Sequence, residues 1–188
     1  MSLVLLKYKG VSAIVGNDSL GIMILTTEDE TRQLSIVCER DMIRQFGLRL
    51  SPFADTSKLL PEVLWKLVSD HTDLDFQIHI LDIVEGQYQV YLHNMALQLL
   101  IPVRASDAIL LAEVGDIPIY IKDTLLMRQS VPYQKDAAGV AIPVNVITNE
   151  MLEKALEKAI KEENYEQASQ LRDELKRRES HRNDQKEP

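Results

Sequence analysis

Along the first forty residues, short apolar runs alternate with turn residues: LVLLKY, VSAIVG, GIMILTT and RQLSIVC, separated by Gly10, Gly16-Asn17-Asp18 and Glu28-Asp29-Glu30. That rhythm predicts the strands of a meander. The period then changes. Residues 39–48 (ERDMIRQFGL) read as a helix that stops at Gly47, and Ser57 to Ser69 carries Leu59, Leu60, Val63, Leu64, Leu67 and Val68 at the spacing of an amphipathic helix. Pro61 falls in its first turns, where proline is tolerated. Leu74–Ile83 and Tyr88–Leu92 flank Glu85-Gly86, a hairpin signal, and the apolar strand ALQLLIPV follows. A helix from Ser106 to Val114, ended by Gly115, leads to the strand IPIYI. Strands interspersed with helices, without strict alternation, predict an α+β fold with a mixed β-sheet and packed helices.

From Ser130 to Ile147 the pattern fades into a segment with Pro132, Gly139 and Pro143 and no helical period, which reads as a linker or extended arm. Beyond it, LEKALEKAIKEENYEQASQLRDELKRRE (Leu152–Glu179) holds two stripes: Leu152, Ala155, Leu156, Ala159 and Ile160, then Tyr165, Ala168, Leu171, Arg172 and Leu175. Asn164 followed by Gln167 reads as an N-cap with its capping-box partner. The prediction is a C-terminal α-helical hairpin, capped at Thr148 or Asn149. Each helix is close to the ~12–15 residues at which an isolated helix is marginal in water, so the hairpin needs a surface to pack on. The expected organisation is a domain over residues 1–130, a linker over 131–147, the hairpin over 148–180 and a polar tail over 181–188.

The composition narrows the setting. With 188 residues, 45% of them hydrophobic, the chain can bury one sizeable core. The single cysteine, Cys38, excludes an intrachain disulfide and a cysteine-built zinc site; it is expected as a buried strand residue, and the cytoplasm is the expected compartment. No apolar run approaches the ~20 residues that span a bilayer, and the N-terminus lacks a full apolar signal core and a cleavage site, so no membrane role is expected. A net charge of −8 repels phosphate backbones at long range, so any DNA or RNA contact must come from a local patch. The candidate patch is Arg172, Lys176, Arg177, Arg178 and Arg182, whose simpler reading is a solvated helix end that complements the helix dipole.

Candidate chemistry is sparse. The glycines are scattered, and no phosphate loop of the GKS/T kind exists. With a two-residue turn at Glu85-Gly86, His79 would pair with Leu92 and His93 with Ile78, so the two imidazoles would point to opposite faces and read as solvent-facing; a shared metal site would require a bulge or a register slip. Asp70, His71, Asp73 and Asp75 in DHTDLD could hold a hard cation, though a polar turn explains them as well. Ser106-Asp107 opens a helix, where serine caps and aspartate sits well against the positive end; the same exposed amides can bind a phosphate.

At residues 103–126, VRASDAILLAEVGDIPIYIKDTLL resembles the bifunctional nuclease family of small bacterial α+β proteins. The family's arginine-proline-serine-aspartate-alanine-isoleucine signature appears as Arg104-Ala105-Ser106-Asp107-Ala108-Ile109, with Pro118-Ile119 at the matching distance. LSIVCERDMI (Leu34–Ile43) and TSKLLPEVLWKL (Thr56–Leu67) extend the likeness over roughly residues 1–130. The resemblance implies DNase and RNase activity. Where the family has histidine and aspartate after the threonine, this chain has Ser57 and Lys58; where it has glutamate-alanine, this chain has Met42-Ile43. The catalytic residues that carry over are Arg104, Ser106 and Asp107. Arg104 would place a phosphate, Ser106 and the helix amides would cradle it, and Asp107 would act as base or as ligand of a divalent metal, magnesium or manganese. Residues 163–175 (ENYEQASQLRDEL) resemble the UVR motif, a helical hairpin through which bacterial excision-repair subunits recognise each other. The resemblances together imply a nuclease-like protein whose hairpin binds a protein partner or a second copy, giving a homo-oligomer. The alternative is a non-catalytic adaptor or regulator that keeps the fold.

Overall fold

The computed structural model describes residues 2–14, 17–72, 74–84 and 86–133, and in the C-terminal segment residues 156, 157, 159–161, 165, 168, 169, 172, 173, 175 and 176. The chain divides into two compact units, Met1–Ala141 and Ile142–Pro188.

In the first unit β1 (Leu3–Ile14), β2 (Asn17–Thr27) and β3 (Arg32–Glu39) form an antiparallel meander. The segments LVLLKY and VSAI, expected in two strands, belong to one. Gly10 does not end β1, because its φ of 158° is extended backbone; it sits at a bulge after Tyr8, where the register shifts by one residue and the strand continues. The turn from β2 to β3 is closed by Asp29, whose Oδ1 accepts from Thr27 Oγ1 (2.5 Å), Thr31 N (3.2 Å) and Thr31 Oγ1 (2.9 Å). Those donors hold its carboxyl below the usual carboxylate range.

Two helices follow: α1 (Asp41–Leu50) and α2 (Leu60–Ser69). α1 runs through Gly47, past the expected stop, since a helical glycine costs only about 1 kcal/mol and Leu48 and Leu50 continue the turn. β4 (Gln77–Val84), β5 (Gln87–Asn94) and β6 (Leu99–Val103) form a second antiparallel meander. Then come α3 (Ala105–Gly115), β7 (Ile119–Lys122), α4 (Asp123–Gln129) and a two-residue β8 (Val131–Pro132). Val131-Pro132 falls where the pattern suggests the start of a linker; it pairs with Arg32-Gln33 at the edge of β3. The joint is fastened by Arg32, whose Nε donates to Ser130 Oγ (2.6 Å) and whose Nη2 donates to Ser130 O (2.9 Å).

One eight-stranded sheet results, in the order β6-β5-β4-β7-β1-β2-β3-β8. The β4–β7 pair is parallel and its neighbours are antiparallel, so the sheet is mixed and the fold is α+β, as the sequence pattern predicts. Leu6, Met23, Leu25, Leu34, Ile36, Ile78, Ile80, Ile119 and Ile121 share its core face with Cys38. α3 packs on β4 and β5 and also on β3, so the core face closes around this helix. That position explains why its sequence is apolar on most sides: Ala108, Ile109, Leu110 and Ala112 are all buried. The helix ends where Asp116, not Gly115, takes the left-handed conformation (φ 52°).

α2 packs on α3 through Trp65, which stands edge-on to Phe76 at 6.4 Å. Its remaining apolar row, Leu60, Val63, Leu64 and Leu67, is exposed. The α2–α3 approach depends on Gly115, where an added Cβ would lie 2.5 Å from Trp65 Cε2. Gly115→Ala should therefore lower stability by about 1–3 kcal/mol despite the better helix propensity of alanine. Chemical denaturation followed by the emission of the chain's one tryptophan checks this: the transition should move to lower denaturant, with the native emission already shifted.

In the second unit the described residues are helical, and Ala159 and Ala168 are buried in a small cluster with Leu156 and Leu175. Ile160 and Tyr165 are exposed. The expected capping box, Asn164 with Gln167, lies outside the described residues, as do Leu152 and Leu171.

Candidate nuclease site at the start of α3

β6 ends at Val103 and the backbone stays extended at Arg104 (φ −62°, ψ 141°), whose carbonyl accepts the first helical bond from Ala108 N at 2.9 Å. Arg104 is thus the N-cap and Ala105 the first helical residue. This corrects the expectation that Ser106 caps the helix. The helix begins one residue earlier than the pattern suggests, which carries Ser106 inside the first turn, and no side chain caps this end.

The Arg104 side chain turns back over the helix start. Its Nε donates to Asp107 Oδ2 at 2.6 Å and its Nη2 to Asp107 Oδ1 at 3.2 Å, a bidentate pair. Its Nη1 donates to Glu39 Oε1 at 3.2 Å, at the end of β3 and 65 positions away in sequence. Asp107 and then Glu39 push the guanidinium above its ordinary value. Asp107, in the first turn, also faces the positive end of the helix dipole. The cluster is one cation between two carboxylates, exposed to solvent, with hard oxygen donors of the kind magnesium and manganese take. The structure therefore brings Arg104 and Asp107 together and adds Glu39, which motif reading missed. The only signal for Glu39 was its place in LSIVCERDMI, one of the segments of family resemblance.

The positions that depart from the family motif lie elsewhere. Met42 is buried in the core and Ile43 packs over Gly21, where an added Cβ would sit 3.0 Å from Ile43 Cδ1. Asp55 Oδ1 accepts from Ser57 N (3.1 Å) and Ser57 Oγ (2.5 Å), which holds its carboxyl below the usual range; Lys58 Nζ is 3.8 Å from Asp55 Oδ2.

A cleft of about 310 Å³ is lined by Tyr8, Phe46, Arg49, Leu50, Thr56, Glu62, Glu113 and Val114. The rings of Tyr8 and Phe46 stack at 4.7 Å. Burial, and then Glu113, push the Tyr8 hydroxyl well up; burial, and then Asp116, raise the Glu113 carboxyl. Arg49 Nη2 donates to Glu62 Oε2 at 2.7 Å, with both side chains largely shielded, and Nη1 donates to Gln45 O at 2.7 Å.

The histidines require a correction. They are neither on opposite faces nor solvent-facing: His79 is 8% exposed, and the two rings lie 4.6 Å apart. A bulge at Leu81, between the Ile80/Val90 and Asp82/Gln89 pairs, slips the register by one, so that Gln77 faces His93 and His79 faces Tyr91. Because strand side chains alternate, the slip brings both imidazoles to the face opposite Ile78 and Ile80. Burial, and then His93, lower the His79 pKa. In DHTDLD, Asp70 caps α2 with its N–H on Lys66 O, and Thr72 Oγ1 donates to Val68 O at 2.8 Å, the contacts of a helix-end turn; Asp73 lies outside the described residues. Among the described residues no group of three or more His, Cys, Asp or Glu converges to hold a metal ion, and no helix is long and apolar enough to cross a membrane.

The bifunctional nuclease domain model matches residues 23–134, which contain Glu39, Arg104 and Asp107. The chain belongs to the bifunctional nuclease domain family. A second model, the UvrB/uvrC motif, matches residues 150–179. No curated protein matches the chain. In this member of the family Arg104 ties the start of α3 to the end of β3 through exposed charges. Pairs of that kind contribute up to about 1 kcal/mol, whereas removing one partner of a shielded pair costs about 3 kcal/mol. Glu62→Gln should therefore destabilise the domain far more than Asp107→Asn, and paired thermal melts of the two variants check the order.

Proposed function

We propose that the domain hydrolyses phosphodiester bonds of DNA or RNA at the Glu39–Arg104–Asp107 cluster. The observation that carries the reading is the bidentate Arg104–Asp107 pair at the N-terminus of α3, with Glu39 on the same guanidinium. A phosphate competes for Arg104 and for the free amides of the first helical turn, and its arrival releases the two carboxylates. Ser106, in that first turn, adds a hydroxyl to the phosphate's surroundings. Magnesium or manganese, held by Asp107 and Glu39, would supply Lewis-acid polarisation of the phosphate. Where Asp107 does not hold the metal, its carboxylate is the candidate base. A cytoplasmic setting suits the single buried thiol.

A second reading, a non-catalytic adaptor or regulator, is favoured by the ion pairs that Arg104 already makes and by Met42, Ser57 and Lys58 at motif positions. A nuclease assay on rigorously purified full-length protein, with and without magnesium or manganese, separates the two. The nuclease reading expects metal-dependent cleavage that falls about 100-fold or more in Asp107→Asn, with little change in melting temperature. No cleavage by the wild type supports the adaptor, whereas cleavage unchanged in the variant removes Asp107 from the chemistry.

The second unit is proposed to bind a protein partner or a second copy of the chain. Ala159, Ala168, Leu156 and Leu175 occupy the inside of the helical segment, while Ile160 and Tyr165 stay uncovered. Ile160→Asp with Tyr165→Asp should abolish that association without touching the internal cluster. Sedimentation velocity reads self-association, a pull-down reads a foreign partner, and a wild type that matches the double variant in both rules the role out.

A further inference from the structure

We propose that Gln77, His79 and His93 form a binding site for a borderline divalent cation, zinc foremost, on the face of the sheet opposite α3. The bulge at Leu81 sets Gln77 directly across from His93 and places His79 two residues along the same face. His79 Nε2 lies 2.9 Å from Gln77 Oε1, so that nitrogen faces the amide oxygen of the residue paired with His93. His93 Nδ1 is shielded from solvent and has no hydrogen-bond partner among the described residues. A buried imidazole nitrogen without a partner is costly, and a metal ion is one of the few groups that satisfies it without donating a proton.

The dimensions suit coordination. Two donors of one tetrahedral ion, each at about 2.0–2.2 Å, lie about 3.3–3.6 Å apart, and two imidazoles so bound have ring centres about 5 Å apart. Gln77 Oε1 and His79 Nε2 are 2.9 Å apart, joined by a hydrogen bond that the ion would replace, and the ring centres are 4.6 Å apart, so both distances widen by about 0.5 Å on binding. Two imidazole nitrogens select a borderline metal over magnesium or calcium, and the amide oxygen of Gln77 serves as the third donor, leaving a position for water. Tyr120 of β7 stands edge-on to His79 at 5.9 Å and steadies that ring. The site shares no residue with the Arg104 cluster, so it stands or falls independently of nuclease activity.

The test is a zinc titration of chelator-treated full-length protein by calorimetry. One ion should bind per chain, with His79→Asn and His93→Asn each weakening it tenfold or more and the His71→Asn/His181→Asn pair leaving it intact. Because the buried His79 variant can misfold, a second measurement uses the wild type alone: substoichiometric Ni²⁺ should broaden the ring signals of His79 and His93 in the NMR spectrum. Absence of zinc binding, binding unchanged in both single variants, loss of binding in the control pair, or broadening confined to His71 and His181 overturns the site.

Discussion

The first unit depends on four residues. β7 pairs antiparallel with Leu3–Leu6 of β1 on one side and parallel with Ile78–Ile80 of β4 on the other, and its Ile119 and Ile121 are buried at the middle of the core. Without those two ladders the β1–β3 and β4–β6 meanders share no hydrogen bond, since neither borders the other in the sheet. A parallel pairing cannot be made by a tight turn, so the chain leaves β6, crosses the core face as α3 and returns between its own earlier strands. That crossover explains the apolar helix, the packing of Gly115 on Trp65, and the approach of Arg104 to Glu39.

The same geometry separates what holds the fold from what is open to chemistry. Each isoleucine or leucine buried in the core is worth about 1.5–3 kcal/mol, and there are enough of them that the exposed pairs at Arg104 are not required for folding. The Arg104 cluster can therefore exchange partners at small cost to the domain. The Arg49–Glu62 pair, shielded between α1 and α2, cannot, because a lone charge there would have lost its water and its partner together.

Much of the first unit was readable from the chain. Period-2 and period-3.6 patterns located the strands and α1 to α3 to within a few residues, and Cys38 is the buried strand residue expected. The errors have local physical causes. Gly10 reads as a break, yet extended backbone with a bulge lets β1 pass through it. α4 and β8 are too short to show a period, and β8 exists because β3 has an edge to offer and Arg32 a clasp on Ser130. Of the three residues carried over from the family motif, Arg104 and Asp107 meet as a pair, while Ser106 does not cap the helix. Glu39 could not have been joined to them by spacing, because 65 residues intervene.

The sequence by itself determined the composition of each face. Alternation decides which side chains of a strand share a side, and helical spacing decides which stripe is apolar, because both follow from backbone periods that the chain carries locally. Only the tertiary structure decided which faces and ends meet. The insertion of β7 between β1 and β4 and the contact of Arg104 with Glu39 come from long-range pairings selected by burial of the whole core. The meeting of His79 with His93 turns on one extra residue at Leu81. A one-residue slip exchanges every side chain between the two faces of a strand, and nothing in the local pattern of an apolar run such as QIHILDIV marks where such a slip will fall.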